Sequence, residues 1–408
     1  MKRRMRKGAL VVMWCFLTIP ESLISQTIES QGQLSGWMTV TEDESSPTQV
    51  GLRYIPSLFV SKYITGEYSI DAELSLNSYG TGLIHDLDDI ETDGKIKPYR
   101  LWLRLSGSQF EVRLGLQKIN FGSAMLLRPL MWFDRIDPRD PLQLTDGVYG
   151  ALFRYYFLNN TNIWLWGLYG NDETKGWEVI PSDDSTIEYG GRFQHPVLTG
   201  EIAFTYHHRE MDLKKGLHDL ISRVTVPIPI DFLRQFDTIP ASASEDRFGL
   251  DAKWDMEVGI WFEGVLMHQD IDPTLLKYLR LFHIGAYQRF INIGCDYTFG
   301  LGNGLHVLGE YFIMRASEEA FGSGEGAEFS ALSVNYPFGL IDNLTGIVYY
   351  DWESHDWYRF INWQRTYDNW RFYLIGFWNP DRFQLYQNQE SANTFAGKGI
   401  QVMAVFNH

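Results

Sequence analysis

The sequence predicts an all-β fold: a transmembrane antiparallel β-barrel of about 18 strands, with 16 as the alternative count. Three observations predict it. Apolar and polar residues alternate with period 2 along many segments, short and long connections alternate between those segments, and an export signal precedes a chain without a helical span.

The export signal comes first. Lys2-Arg3-Arg4-Met5-Arg6-Lys7 forms a basic start, "GALVVMWCFLTIP" an apolar run, and Ser22 and Ser25 small residues near a cleavage point. The apolar run falls short of the roughly 20 residues of a membrane helix. The expected organisation is a signal peptide at 1–25, cleaved near Ser25, and a single barrel domain at 26–408. Cleavage leaves 30 basic against 50 acidic residues, a net charge of −20, and Cys295 as the remaining cysteine. No intramolecular disulfide can then form, so the fold must stabilise itself. The acidity argues against nucleic acid as a partner. With 22 Tyr, 26 Phe and 14 Trp but no internal repeat, an exported chain of this size fits a barrel better than a solenoid or propeller.

The alternation is plainest in "RLWLRLSGSQFEVRLGLQ". Leu101, Leu103 and Leu105 point one way and Arg100, Trp102 and Arg104 the other. Past a turn, Phe110, Val112, Leu114 and Leu116 alternate with Glu111, Arg113, Gly115 and Gln117. In a membrane barrel the apolar face meets lipid and the polar face lines the lumen. Strands are expected near 33–42, 49–61, 66–79, 95–107, 109–121, 146–157, 161–170, 185–196 and 199–211. The second half repeats the pattern near 245–256, 257–269, 281–299, 303–316, 326–337, 342–353, 356–366, 369–379 and 397–407. Segment 281–299 is long enough to be two strands. Even-numbered connections are short ("SGSQ", "LNNT", "DME", "GLGNG", "TYDN"). Most odd-numbered ones are long: 80–94, 122–145, 171–184, 212–244 and 380–396. Bacterial barrels have this asymmetry, with short turns in the periplasm and long loops outside. The terminal strand "GKGIQVMAVFNH", with Phe406 near its end, looks like the signal read by the outer-membrane barrel assembly machinery.

The third long loop carries "LLRPLMWFDRIDPRDPLQLTDG". Its prolines Pro129, Pro138 and Pro141 stiffen the backbone, and "PLMWF" offers an apolar anchor. Arg128, Asp134, Arg135, Asp137, Arg139 and Asp140 can cross-link a rigid plug or line a constriction in the lumen. The oxygen spacing of an EF-type calcium loop is missing, so no metal is expected.

"RLGLQKINFG" followed by "LLRPLMWFDRIDPRDP" resembles the "G-R-Q-x-x-x-W-G … D-x-x-x-P-x-D" segment of alginate-export-type and related substrate-specific porins. Gly115, Gln117, Gly122, Asp134, Asp137, Pro138 and Asp140 fit, whereas Leu116 and Phe121 replace the arginine and tryptophan. The match covers about 50 residues. The whole chain also resembles uncharacterised porin-like proteins of Bacteroidetes-type bacteria. The resemblance implies an 18-stranded outer-membrane barrel for passive transport of small anionic or sugar-like solutes, with the third long loop folded inward.

Projecting the alternation gives the lumen two charged walls: Arg100, Arg104, Arg113, Arg154 and Arg192 on one side, Asp251, Glu263, Asp296, Glu310 and Asp351 on the other. Opposed charges of this kind would orient dipolar solutes and filter ions. Local pairing of the arginines with Glu111, Glu188 and Glu201 is the alternative, a wet interior filled with individually weak ion pairs. His207 and His208 are adjacent on a strand, face opposite sides and cannot share a metal. The acidic run His85 to Asp93 reads as a solvated loop, and no phosphate loop, zinc spacing or G-x-S-x-G motif is present. The expected function is an outer-membrane channel for passive diffusion of small polar or charged solutes, with neither catalysis nor cofactor. A non-conducting structural or secretion-associated barrel is the alternative, and an outer-membrane enzyme a more remote one. Expected partners are outer-membrane lipid and lipopolysaccharide, the assembly machinery and small polar solutes.

Overall fold

A computed structural model of the chain describes residues 26–42, 47–86, 88–223, 240–279, 284–380 and 395–408. The segment 1–25 expected to be a signal peptide, and residues 224–239 and 381–394 of the long loops expected at 212–244 and 380–396, lie outside these. The first six strands are β1 (Gln26–Thr41), β2 (Thr48–Thr65), β3 (Tyr68–Asp86), β4 (Asp89–Ser106), β5 (Phe110–Gln117) and β6 (Val148–Tyr156). Next come β7 (Asn162–Tyr169), β8 (Ile187–Val197), β9 (Gly200–Asp212), β10 (Ser242–Asp255), β11 (Gly259–Gln269) and β12 (Tyr287–Phe299). The last six are β13 (Leu305–Ser317), β14 (Glu325–Pro337), β15 (Asp342–Asp351), β16 (Trp357–Thr366), β17 (Trp370–Trp378) and β18 (Lys398–Asn407). Each strand pairs with its sequence neighbours, and β1 also pairs with β18, where Leu34 lies opposite Phe406. The sheet is therefore a closed barrel of 18 strands, without the open edges that would invite aggregation. The count of 16 is excluded.

Period-2 geometry gives every strand two unlike faces. On β10, Glu245, Arg247 and Asp251 point inward and are almost completely buried, while Phe248 and Leu250 point outward and are exposed. The same holds around the barrel: Leu58, Leu74, Leu114, Leu165, Phe204, Ile293, Leu332, Ile361 and Val402 all expose large apolar side chains. Water would not tolerate so continuous an apolar belt, but a bilayer would.

Two sequence expectations are corrected. The loop expected at 80–94 is a hairpin: β3 and β4 stay paired as far as Asp86 and Asp89. Residues 89–96 are exposed throughout, so these strand ends are held by ladder hydrogen bonds and not by burial. Without a buried face there is no hydrophobic alternation to reveal them, and the acidic run lies on this hairpin. The strand expected at 281–299 is a single strand beginning at Tyr287.

Among the described residues two short helices stand between strands, α1 (Leu213–Arg223) and α2 (Pro273–Leu279). Leu213 and Leu217 of α1 pack with Leu275, Leu276 and Leu279 of α2, together with Ile180 and Met211. This apolar cluster lies at the long-loop end of β9 to β12.

Candidate constriction site

Residues 118–147 leave the sheet after β5 and return at β6. Two carboxylates on distant strands bind this segment. Glu263 on β11 accepts backbone N–H groups of Ser123 (2.5 Å) and Ala124 (2.7 Å) on Oε1 and of Leu130 (3.2 Å) on Oε2. Glu310 on β13 accepts those of Met125 (2.6 Å) and Leu126 (3.1 Å) on Oε1 and of Leu127 (2.7 Å) on Oε2. Asn292 on β12 ties Glu310 to the segment, donating to Leu127 O (2.8 Å) and to Glu310 Oε2 (3.1 Å). Irregular backbone inside a barrel must find partners for its amides, and two inward carboxylates supply them. Gly122 makes the approach possible: its φ is +96°, and a Cβ there would collide with the Glu263 carboxylate.

Apolar contacts complete the attachment. Leu127, Leu130 and Trp132 are almost fully buried. Phe133 meets Trp166 and His207 edge-on, with ring centroids 5.5 and 4.9 Å apart. The facing wall is apolar for a lumen, with Trp261, Phe290, Phe312, Phe329 and Phe360 in the same cluster.

A second segment, 170–186, packs beside the first. Trp177 donates its indole N–H to Arg128 O (2.8 Å), and a Cβ on Gly176 would collide with the Met131 carbonyl. Beneath it Lys175 meets Glu188 (2.8 Å), Glu178 meets Arg247 (2.7 Å) and Arg209 (3.3 Å), and Glu245 meets both arginines (2.6 Å each). Glu188 also contacts His207 (3.2 Å). Three carboxylates and three cations thus neutralise one another in a buried block, where either set alone would be strongly unfavourable.

On the opposite side lies a cavity of about 270 Å³. Trp37, Arg53, Asn77, Lys97, Tyr99 and Gln401 line it from the wall of β1 to β4 and β18, and Asp134 to Asp146 line it from the loop. Every expected loop residue is fixed by a partner. Arg128 pairs with Asp134 (2.7 Å), and Arg139 clamps Asp137 through Nε (2.9 Å) and Nη2 (2.8 Å). Arg135 donates its backbone N–H to Thr145 Oγ1 (2.8 Å) and its guanidinium to Thr174. Asp140 accepts the amides of Leu142 (2.9 Å) and Leu144 (3.3 Å); burial pushes its carboxyl up, against the pull of the Leu142 amide. Lys118 is lowered by burial, with Asp134 opposing. Lys97 of β4 reaches across to Asp146 (2.7 Å). Asn77 Oδ1 and Gln401 Oε1, on almost fully buried side chains lining the cavity, receive no protein hydrogen bond among the described residues.

The ten wall residues take six different positions. Arg104 (3.8 Å), Arg113 (3.6 Å) and Arg154 (3.0 Å) surround Glu111 near the short-turn end, and Arg104 also meets Asp71 (3.0 Å). Arg100 lies higher and donates to Thr145 O (3.0 Å) on the loop. Arg192 and Asp251, assigned by sequence to opposite walls, pair at 2.6 Å. Glu263 and Glu310 hold the loop, whereas Asp296 pairs with His306 (3.1 Å) beside a short turn and Asp351 accepts the Glu353 amide (2.8 Å) at an outer one. Sequence reasoning missed the Lys175–Glu178 block and the cavity residues Trp37, Arg53, Asn77 and Gln401. The inward parity of the last four was legible, but not which sector the loop leaves open.

Comparison with solved structures bears on the fold. Acinetobacter baumannii OccAB4 aligns over 94% of this chain and 99% of its own at 8% identity, with a TM-score of 0.53. Vibrio cholerae OmpT, an outer membrane protein in trimer form, covers 94% and 100% at 11% identity, with 0.51. The fold is that of the outer-membrane porins. An anion-selective porin from Comamonas acidovorans covers the same shares at 12% identity, with 0.50. No family model and no curated protein matches the chain.

Proposed function

We propose that the chain is an outer-membrane channel for passive diffusion of small polar or charged solutes. The observation that carries this reading is the cavity between the fixed loop and the wall of β1 to β4 and β18. One side of the lumen is packed shut by apolar side chains and backbone hydrogen bonds. The other leaves a cavity whose lining mixes charged and polar groups with aromatic ones, so it is where solute would pass. The loop narrows the lumen and its neutralised pairs make the rim stiff; rigid polar linings of this kind set size and charge preference. The long connections face the exterior, the signal peptide directs export, and β18 with Phe406 presents the strand that the assembly machinery would read.

Ion preference arises chiefly below the loop. Arg104, Arg113 and Arg154 stand there with the carboxylates of Asp71, Glu73 and Glu111, so these arginines set how readily anions enter at the short-turn mouth. The porin-like segment from Gly115 to Asp140 supports a small anionic or sugar-like solute. No catalytic step is part of the reading. Liposome swelling tests it: vesicles holding the protein should admit monosaccharides and small organic anions and exclude solutes larger than the cavity. Vesicles that stay impermeable to all of them would favour the second reading, a non-conducting barrel, for which the apolar packing of the lumen is the supporting observation.

A further inference from the structure

The outward face of β15 to β18 and β1 carries a groove. Register places three rows across these strands. The middle row runs Gly346, Ile361, Gly376, Ile400, Val40. The row nearer the short turns runs Leu344, Trp363, Leu374, Val402, Met38, and the row nearer the long loops is Val348, Arg359, Trp378, Lys398. Gly376, without a side chain between the two tryptophan-bearing rows, leaves a groove of about 570 Å³. Its lining is apolar except at the end nearer the long loops, which carries Thr41, Glu42 and Lys398. Arg359 and Lys398 are both exposed and flank Trp378. They stand two strand spacings apart, about 10 Å.

We propose that this face holds one phosphorylated, multiply acylated lipid of the outer leaflet, the class of the lipid A portion of lipopolysaccharide. One acyl chain fills the groove over Gly376, and the phosphates engage Arg359 and Lys398. The inference rests on the exterior placement of the long loops, not on the channel being open. Charge complementarity selects the occupant: on a chain of net charge −16, Arg359 and Lys398 against the single carboxylate of Glu42 leave the headgroup-level end of this groove net positive. Tryptophan at that level suits the boundary between headgroup and hydrocarbon. Lys398 also meets Glu42 (3.1 Å), but both side chains are more than half exposed. Such a pair contributes little and yields readily to a doubly charged phosphate. Arg359 stacks over Trp357 at 5.6 Å, which orients its guanidinium and leaves its N–H edge for a ligand.

The test is native mass spectrometry of the full chain in detergent, titrated with bis-phosphorylated, hexa-acylated lipid A and with its fully dephosphorylated counterpart. The expected result is one saturable lipid per barrel, with at least tenfold weaker binding of the dephosphorylated form. Arg359→Gln with Lys398→Gln should abolish that difference, and Gly376→Leu should weaken both lipids by filling the groove. Equal binding of the two lipids to the unaltered protein, or binding without saturation, overturns the proposal whether or not the variants fold. Solute permeation should be unchanged in the double variant, so the lipid site and the channel succeed or fail separately.

Discussion

Replacing Glu310 by Gln should release the loop without unfolding the barrel. The carboxylate receives three backbone amides at 2.6–3.1 Å, plus the Asn292 side chain. The amide of Gln keeps one acceptor oxygen and turns the other position into a donor. That position then faces N–H groups, so at least two charge-assisted hydrogen bonds are lost, each worth about 1.5–3 kcal/mol. The total, about 3–6 kcal/mol, raises the population of released loop by about 10²–10⁴ at 1.4 kcal/mol per decade. The eighteen-strand ladder does not use this side chain, so heat-modifiable migration on gels should persist. The assay places a cysteine at Met131 in a Cys295→Ser background and measures its reaction with a membrane-impermeant maleimide. The unaltered loop should react slowly, since Met131 is buried. Glu310→Gln should react at least tenfold faster and conduct more. Equal rates in a folded barrel would refute the assignment of Glu310 as the loop's anchor.

Three further outcomes are expected. Changing Arg104, Arg113 and Arg154 together to Gln should move the reversal potential in a salt gradient toward cations, with a shift that shrinks near 1 M salt as screening shortens to about 3 Å. Asp137→Asn, which removes the bidentate partner of the buried Arg139 guanidinium, should destabilise the loop by about 3 kcal/mol, whereas Asp140→Asn, at a carboxyl that burial already pushes toward its neutral form, should change it by less than about 1; denaturant-dependent maleimide labelling separates the two. Trp132→Ala should cost about 3–5 kcal/mol by opening a cavity beside Phe121 and His207, seen as a lower temperature for loss of the folded gel band.

The barrel was legible because period 2 and loop asymmetry are local properties of the chain. Leu101 to Gln117 showed both faces of a hairpin from 17 consecutive residues. The third long loop was also legible in position, and its "PLMWF" as an apolar segment. Its partners were not. Glu263 and Glu310 lie 139 and 183 residues from the amides of Ala124 and Leu127, and alternation fixes only that such residues face inward. For that reason Arg192 and Asp251 fell on opposed walls by parity while the structure pairs them across β8, β9 and β10. Pairing depends on the height of each residue along tilted strands, which register determines and composition does not. The helices α1 and α2 lay in the connections 212–244 and 270–280, too short in apolar period to announce themselves, and the β3–β4 extension lacked a buried face to pattern.

Single-channel recording in planar bilayers tests the central claim most directly. Purified, heat-modifiable protein should insert in discrete steps of ohmic conductance that scale with salt, and Glu263→Gln with Glu310→Gln should enlarge each step. Insertion of folded protein without any current, in the unaltered chain and in the loop-released variant alike, would contradict a solute path between the loop and the wall of β1 to β4.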